Sequence, residues 1–195
     1  MAPTPCGAVP PCPSLLEPAS GSDGDIVVAL DFETADRWPD SACALGLTKL
    51  KDGAVVDSLY KVIRPPRSRV CFTEIHGFTW DMLKDEPCFA ELWPQFSAFM
   101  ADARLLVAHN ASFDRRVLYG CCEAFRLTPP SAPFVCTVKG ARRGLNLPHN
   151  RLNDVCAHLG IELEHHNAAS DAHAAALIYL HLRSIGLSDA DMMLK

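Results

Sequence analysis

The feature that most constrains the fold is an apolar run that ends in two carboxylates. Residues 26–34 read IVVALDFET, and five consecutive apolar residues before Asp31 are typical of a buried strand. In an extended chain Asp31 and Glu33 point to the same face, about 6.6 Å apart along the strand. Two negative charges at that separation repel each other by roughly 2.5 kcal/mol at an effective dielectric constant of about 20. A buried strand that ends this way needs a compensating charge, and a bound cation is the obvious candidate.

A second acidic residue follows a second short apolar run. Residues 105–108 predict a buried strand, and a helix that begins near Ser112 places Asp114 in its first turn. If this strand lies beside the first, their carboxyl ends open into one crevice, where Asp114 faces Asp31. Taken alone, Asp114 is better explained as a charge that complements the helix dipole, an effect worth under about 1 kcal/mol.

A third acidic residue begins the last long helix, and two histidines precede it. Asp171 lies in the first turn of a helix predicted over residues 170–185, and His166 stands five residues earlier in a loop. An imidazole with an ordinary pKa of about 6.5 can take a proton from water at neutral pH. The alternative is that His165 and His166 are surface residues of a polar loop.

The order of predicted elements indicates a mixed α/β fold. The turn Lys51-Asp52-Gly53 predicts a leading antiparallel hairpin, and the later strands alternate with helices as in βαβ crossovers. This order predicts one mixed sheet with helices on both faces. The predicted strands cover residues 26–33, 43–50, 54–63, 105–108 and 134–136, and the predicted helices cover residues 89–100, 112–125, 151–159 and 170–185.

Composition limits the class of protein. The 195 residues include no apolar run near the roughly 20 that cross a bilayer, and no secretory signal stands at the start. The Pro-, Ser- and Gly-rich residues 1–25 predict a disordered tail, followed by a single domain over residues 26–195. Nine cysteines, an odd number without a CxxC pair, indicate free thiols and a reducing, cytoplasmic location.

The net charge of −5 argues against a protein that coats long nucleic acid. It is compatible with an enzyme that grips a few terminal nucleotides, because carboxylates that bind metal ions themselves lower the net charge.

Together the three acidic segments strongly resemble the DEDDh 3′–5′ exonucleases, and within them the DnaQ-like group related to the epsilon subunit of bacterial DNA polymerase III. The segments occur in the order DxE, NxxxD and HxxxxD, and the resemblance spans about residues 26–183, including Ile75-His76-Gly77. It implies a ribonuclease H-like fold with a five-stranded sheet of order 3-2-1-4-5. It also implies two Mg²⁺ or Mn²⁺ ions held by Asp31, Glu33, Asp114 and Asp171, with His166 as the general base. Carboxylate oxygens are the ligands that these hard cations prefer.

The same resemblance identifies residues expected to contact the 3′-terminal nucleotide. For two of them, Phe32 and Phe113, ordinary core packing is the alternative. Relatives that use tyrosine as the base carry it four residues before the last aspartate, where this chain has Asn167. The expected contact residues are Phe32, Thr34, Ile75, His76, Gly77, Asn110 and Phe113.

The implied function is a metal-dependent 3′–5′ exonuclease that releases nucleoside monophosphates from the 3′ ends of DNA or RNA, with a preference for single strands. A partner in replication or repair is compatible with this function. Two alternatives stay open from the sequence: a hydrolase of short oligonucleotides, and a non-catalytic adaptor that keeps the exonuclease fold.

Overall fold

The computed structural model describes residues 25–195, and the predicted tail lies almost wholly outside this range. None of the helices in this range has the length and apolar character needed to cross a membrane. A five-stranded sheet of order β3-β2-β1-β4-β5 forms the centre of the fold, which confirms the predicted order. Its strands are β1 (Ile26–Thr34), β2 (Ala42–Lys51), β3 (Ala54–Val62), β4 (Leu105–Ala108) and β5 (Phe134–Cys136).

The sheet is mixed, as predicted. Strand β2 pairs antiparallel with both β1 and β3. Strand β4 pairs in parallel with β1, and β5 pairs in parallel with β4. The hairpin between β2 and β3 closes through Asp52 and Gly53, whose φ angles of 51° and 77° match the two left-handed positions of a type I′ turn. Because β1 and β4 run in parallel, their carboxyl ends lie at the same edge of the sheet.

Alternation along β1 divides the core into two layers. Val28, Leu30 and Phe32 point to one face, whereas Val27 and Ala29 point to the other. The odd-numbered face therefore continues into Asp31 and Glu33 at the end of the strand.

Helices cover both faces, which confirms the predicted layers. Helices α3 and α4 contribute to the core on the face of Phe32, and α5, α6, α7 and α8 contribute to the core on the face of Ala29. The helices are α1 (Thr73–His76), α2 (Trp80–Leu83), α3 (Phe89–Met100), α4 (Ala111–Ala124), α5 (Thr137–Gly144), α6 (Leu152–Leu159), α7 (Ala168–Ser184) and α8 (Asp189–Met192).

Four of these helices are absent from the sequence prediction. Helices α1, α2 and α8 have only four residues each, too few for a helical period to show. Helix α5 carries glycines at both Gly140 and Gly144, which lower helix propensity. A β-carbon at Gly140 would lie 2.6 Å from Leu182 and 2.7 Å from Met192, so close packing against α7 and α8 explains a glycine there.

The start of α7 lies directly against β2. A β-carbon at Gly46 would lie 2.0 Å from the carbonyl oxygen of Ala168, the first residue of α7, so only glycine fits this contact. This backbone approach places the first turn of α7 over the end of the sheet where Asp31 and Glu33 lie.

The seven cysteines in the described residues are free, as predicted. Five of them lie in the core, where all are buried: Cys43, Cys121, Cys122, Cys136 and Cys156.

Candidate active site

Three of the predicted carboxylates meet at the carboxyl end of β1. Asp31 and Glu33 extend from the odd-numbered face of the strand, and Asp171 reaches them from the first turn of α7. Each offers an oxygen atom that lies within 4.8 Å of one from each of the others. We refer to Asp31, Glu33 and Asp171 as the carboxylate cluster.

Asp114, the fourth predicted carboxylate, lies next to this cluster and is turned toward the backbone of β1. It stands in the first turn of α4, is 1% exposed, and accepts a hydrogen bond at Oδ1 from the backbone N–H of Phe32 at 3.1 Å. Its charge raises the pKa of Asp31, so the two carboxylates are electrostatic neighbours. Across residues 25–195, Asp114 is not among the groups whose oxygens meet within 4.8 Å.

All four carboxyl groups hold their protons more tightly than usual, and burial is the main cause for each. Burial followed by repulsion from Asp171 raises the pKa of Glu33 to about 8, and burial raises the pKa of Asp114 to about 8 against the effect of its backbone hydrogen bonds. The pKa of Asp31 is raised well above its ordinary value, by burial and then by the charges of Asp114, Asp171 and Glu33. The pKa of Asp171 is also raised by burial. Buried groups of like charge behave in this way when no cation compensates them.

One oxygen of Asp171 lacks a hydrogen-bond partner. Oδ1 is buried without a partner, whereas Oδ2 accepts a hydrogen bond from the backbone N–H of His166 at 3.2 Å. An unpaired buried carboxylate oxygen is costly in a protein interior. The orphaned oxygen, the oxygen-only donor set of the cluster and its uncompensated charge all fit a divalent cation such as Mg²⁺ or Mn²⁺.

Both histidines of the preceding loop lie beside Asp171. Their rings are stacked with centroids 3.9 Å apart, and Nδ1 of His165 lies 3.4 Å from Oδ2 of Asp171. His166 has a left-handed backbone with φ of 67°, and its ring makes no hydrogen bond to any of residues 25–195. Partial burial, with repulsion from His165, lowers the pKa of His166. The structure therefore brings both imidazoles to the cluster and leaves that of His166 without a hydrogen-bond partner in the described chain.

The loop that carries these histidines ends at a helix cap. The side-chain oxygen of Asn167 accepts hydrogen bonds from the backbone N–H groups of Ala169 and Ser170 and so caps α7. Asn167 stands where tyrosine-using relatives carry their base, and here it fixes the helix that presents Asp171.

The predicted nucleotide contacts fall into two groups. Ile75 and Phe113 are 50% and 39% exposed, and Asn110 is an exposed, left-handed residue that begins α4. Phe32 instead is 3% exposed and packs on Phe89 in the core, and its N–H is bonded to Asp114. The side chain of Phe32 therefore follows the core-packing alternative and is not available for stacking on a base.

His76 is held by both ring nitrogens. The backbone N–H of Phe78 donates to Nδ1 at 3.1 Å, so the proton is on Nε2, which donates to the carbonyl oxygen of Thr34 at 3.2 Å. Thr34 itself is 8% exposed, and Gly77, with φ of 79°, ends α1 in the left-handed conformation. His76 thus fastens the segment that presents Ile75 to the end of β1.

A second half-buried histidine, His109, escaped the sequence analysis. His109 donates from Nε2 to the carbonyl oxygen of Asn150 at 3.0 Å, and its Nδ1 lies 2.9 Å from Oγ1 of Thr137. Burial lowers its pKa to about 4, so the ring is neutral at pH 7. It joins the end of β4 to the loop before α6. A histidine directly after a buried strand was the only sequence signal for this role.

Comparison with known proteins agrees with the fold. The sequence model of the RNase T-type exonuclease family matches residues 28–179. The chain is 32% identical over 191 residues to the PolC-type DNA polymerase III of Thermotoga maritima, a match that covers 93% of this chain and 14% of that protein. The PolC-type polymerase of Oceanobacillus iheyensis is 35% identical over 159 residues, which is 79% of this chain and 11% of the relative. The chain thus spans only a small part of these relatives.

Two solved structures share the fold. The nuclease domain of 3′hExo, a DEDDh family member bound to rAMP, superimposes with a TM-score of 0.73 at 16% identity, covering 90% of this chain and 99% of that one. Exonuclease X, in complex with 5′ overhanging duplex DNA, superimposes with a TM-score of 0.66 at 24% identity, covering 85% of this chain and 96% of that one. With its sheet order, its acidic edge and a family match over most of its length, this chain belongs to the exonuclease family.

Proposed function

We propose that residues 26–195 form a single-domain, divalent-metal-dependent 3′–5′ exonuclease that removes nucleoside 5′-monophosphates from nucleic acid. One observation carries this proposal: the buried carboxylate cluster of Asp31, Glu33 and Asp171, in which Oδ1 of Asp171 has no protein partner. Membership of the exonuclease family supports the reaction class.

The cluster supplies the ligands for two Mg²⁺ or Mn²⁺ ions in this proposal, with Asp114 as the fourth carboxylate. When bound, a metal pair activates a water molecule and stabilises the leaving oxygen of an in-line phosphoryl displacement. The side chains of Asp31 and Glu33 supply the charge that holds such ions, and the hydrogen bond from Phe32 fixes the orientation of Asp114.

His166 accepts the proton of the attacking water. The water oxygen forms a new bond to phosphorus, the bond between phosphorus and the 3′ oxygen breaks, and the 3′ oxygen recovers a proton from solvent. A lowered pKa keeps the imidazole of His166 neutral and ready to accept at pH 7. His165, whose Nδ1 faces Asp171, is a positioning residue in this scheme.

The substrate in this proposal is a 3′ end in single-stranded form. Ile75 and Phe113 are exposed apolar side chains on segments that adjoin the site, and flat or apolar side chains of this kind hold unpaired terminal bases. The polymerase relatives make a replication or repair partner the most direct hypothesis for the cellular setting.

The test compares Asp31→Asn with the wild type on 5′-labelled DNA and RNA strands, single and double, with Mg²⁺, Mn²⁺ or EDTA. We expect the wild type to release nucleoside 5′-monophosphates only with metal, and the variant to lose at least about a hundredfold in kcat. Asp102→Asn, at an exposed aspartate in the turn after α3, is the matched control. Full activity of Asp31→Asn, or equal activity in EDTA, would contradict the proposal.

A further inference from the structure

A cleft with an aromatic and several basic side chains lies beyond the end of β1. It encloses about 570 Å³ and is lined by two aromatic side chains and three arginines together with an aspartate and a cysteine: Trp38, Phe72, Arg37, Arg67, Arg69, Asp36 and Cys71. None of these residues belongs to the carboxylate cluster or to the expected contacts of the terminal nucleotide.

Trp38 is an exposed ring on a well-fixed loop. It is 66% exposed, the largest exposure of any large apolar side chain in residues 25–195. Its backbone N–H donates to Oδ1 of Asp36 at 2.8 Å, and its carbonyl oxygen accepts from Oγ of Ser41 at 2.7 Å. Arg67 completes the network, donating from Nε to Asp36 at 2.8 Å and from Nη1 to Asp40 at 2.9 Å.

Helix α4 holds the same loop from the other side. A β-carbon at Gly120 would lie 2.5 Å from Cβ of Pro39, and Cys121 donates from Sγ to the carbonyl oxygen of Pro39 at 3.7 Å. A loop fixed in this way presents its tryptophan at little further entropic cost, which is the property of a preformed binding surface.

Arg67 is neutralised by Asp36 and Asp40, but three other arginines near Trp38 have no acidic partner. Arg37, Arg69 and Arg116 are exposed, and none of them forms an ion pair within the described residues 25–195. Nη2 of Arg116 donates to the carbonyl oxygen of Arg37 at 3.4 Å, so the side chain of Arg116 reaches the edge of the loop. Two arginines without an acidic partner in the cleft and a third at its edge give this surface a positive charge in a chain with a net charge of −5.

The cleft adjoins the carboxylate cluster along two elements. Asp36 follows Glu33 by three residues, a span of at most about 11 Å. Arg116 follows Asp114 by two residues on α4. A polymer whose end lies at the cluster can therefore reach the cleft with the nucleotides that precede its last two.

We propose that this cleft binds the single-stranded segment that precedes the last two nucleotides, with a base stacked on Trp38 and phosphates on Arg37 and Arg69 in the cleft and on Arg116 at its edge. Stacking on an exposed aromatic ring and pairing of guanidinium groups with phosphates are the two contacts by which proteins hold single strands without sequence preference. The inference rests on the proposed function, because it assumes that the polymer end lies at the cluster.

The test measures binding and turnover separately. Binding of a fluorescein-labelled oligothymidylate of about twelve nucleotides, within the usual site size for single strands, is followed by anisotropy with Ca²⁺ in place of Mg²⁺. Turnover of a thymidine dinucleotide, too short to occupy the cleft, reports on the carboxylate cluster. The variants are Trp38→Ala, Trp38→Phe and the pair Arg37→Gln with Arg69→Gln, and Arg142→Gln on α5 is the exposed control.

We expect Trp38→Ala to weaken oligonucleotide binding by about tenfold and Trp38→Phe to retain most of the affinity, because phenylalanine also stacks. The double arginine variant lowers the slope of log affinity against log salt by about 1.4, at roughly 0.7 for each lost phosphate contact. Arg142→Gln changes neither quantity, and all variants turn over the dinucleotide at the rate of the wild type.

Three results would overturn the inference. Unchanged affinity in Trp38→Ala would assign the cleft to a protein partner. Equal losses of oligonucleotide affinity in the Ala and Phe variants, or a parallel loss of dinucleotide turnover that indicates a structural role, would also contradict it. The two proposals fail separately. A wild type that binds the oligonucleotide through Trp38 but never cleaves refutes the exonuclease alone. Normal cleavage with no effect of Trp38→Ala refutes only the binding cleft.

Discussion

Replacing Glu33 by glutamine should stabilise the protein in the absence of metal. The fold raises the pKa of Glu33 from 4.5 to about 8, so between these values the folded state keeps a proton that the unfolded chain has lost. Stability therefore falls as the pH rises through this window. At about pH 7.5, three pH units above the unfolded pKa of 4.5, this effect lowers the free energy of unfolding by about 4 kcal/mol. At about pH 5 it lowers that free energy by only about 1 kcal/mol. Glutamine keeps the shape of the side chain and removes the charge.

The measurement is urea unfolding followed by circular dichroism, with EDTA and a thiol reductant. Glu33→Gln should unfold at higher urea than the wild type at about pH 7.5, and the difference should shrink toward about pH 5. Glu162→Gln, at an exposed glutamate in the loop before α7, should show no such pH dependence. Added Mg²⁺ should then favour the wild type, which gains about 2.7 kcal/mol at a hundredfold excess over Kd, while the variant gains less.

Two outcomes would refute this reasoning. One is a Glu33→Gln variant that is less stable than the wild type in EDTA at neutral pH, which would mean that hydrogen bonds to Glu33 outweigh its repulsion from Asp171. The other is a stability difference that does not change with pH, which would assign the effect to packing rather than to charge.

Three further predictions concern the histidines and the close contacts of Gly46 and Gly120. His166→Ala should lower kcat by about 10²–10⁴-fold with little change in metal affinity, whereas His165→Ala should lower kcat much less. Equal losses of kcat in the two variants would contradict a single general base. Gly46→Ala should push the first turn of α7 away from β2, which should lower the free energy of unfolding by about 1–3 kcal/mol. It should also weaken Mn²⁺ binding, measured by calorimetry. Unchanged binding would show that Asp171 does not depend on this contact. Gly120→Ala should displace the loop that carries the exposed tryptophan, reducing oligonucleotide affinity but not dinucleotide turnover; a loss of both would show a broader disturbance.

The sheet and its acidic edge could be predicted because their signals are local and strong. Unbroken apolar runs such as residues 26–30 and 105–108 identify buried strands, and the alternation along β1 fixes the shared face of Asp31 and Glu33. Helix α5 could not be predicted, because its residues TVKGARRG contain two glycines and show no apolar period; its stability comes from packing on α7 and α8.

Side-chain roles were harder to predict than positions. The HxxxxD spacing selects His166 over His165, and only the coordinates show that the ring of His165 faces the carboxylate of Asp171. The sequence likewise gave no sign that both nitrogens of His76 are taken by backbone groups, or that Asp114 turns to the N–H of Phe32. Such roles depend on contacts between residues far apart in the chain.

The close contact of Ala168 with Gly46 puts the metal ligand and the proton acceptor on different supports. The carboxylate of Asp171 is held by the packed first turn of α7, whereas the imidazoles belong to the loop just before it. A designer could therefore replace the side chains of His165 and His166 by ones of different base strength, provided that the cap by Asn167 and the backbone N–H that Asp171 accepts are kept. Proton-transfer chemistry could then be varied in this scaffold while the carboxylate ligands stay in place.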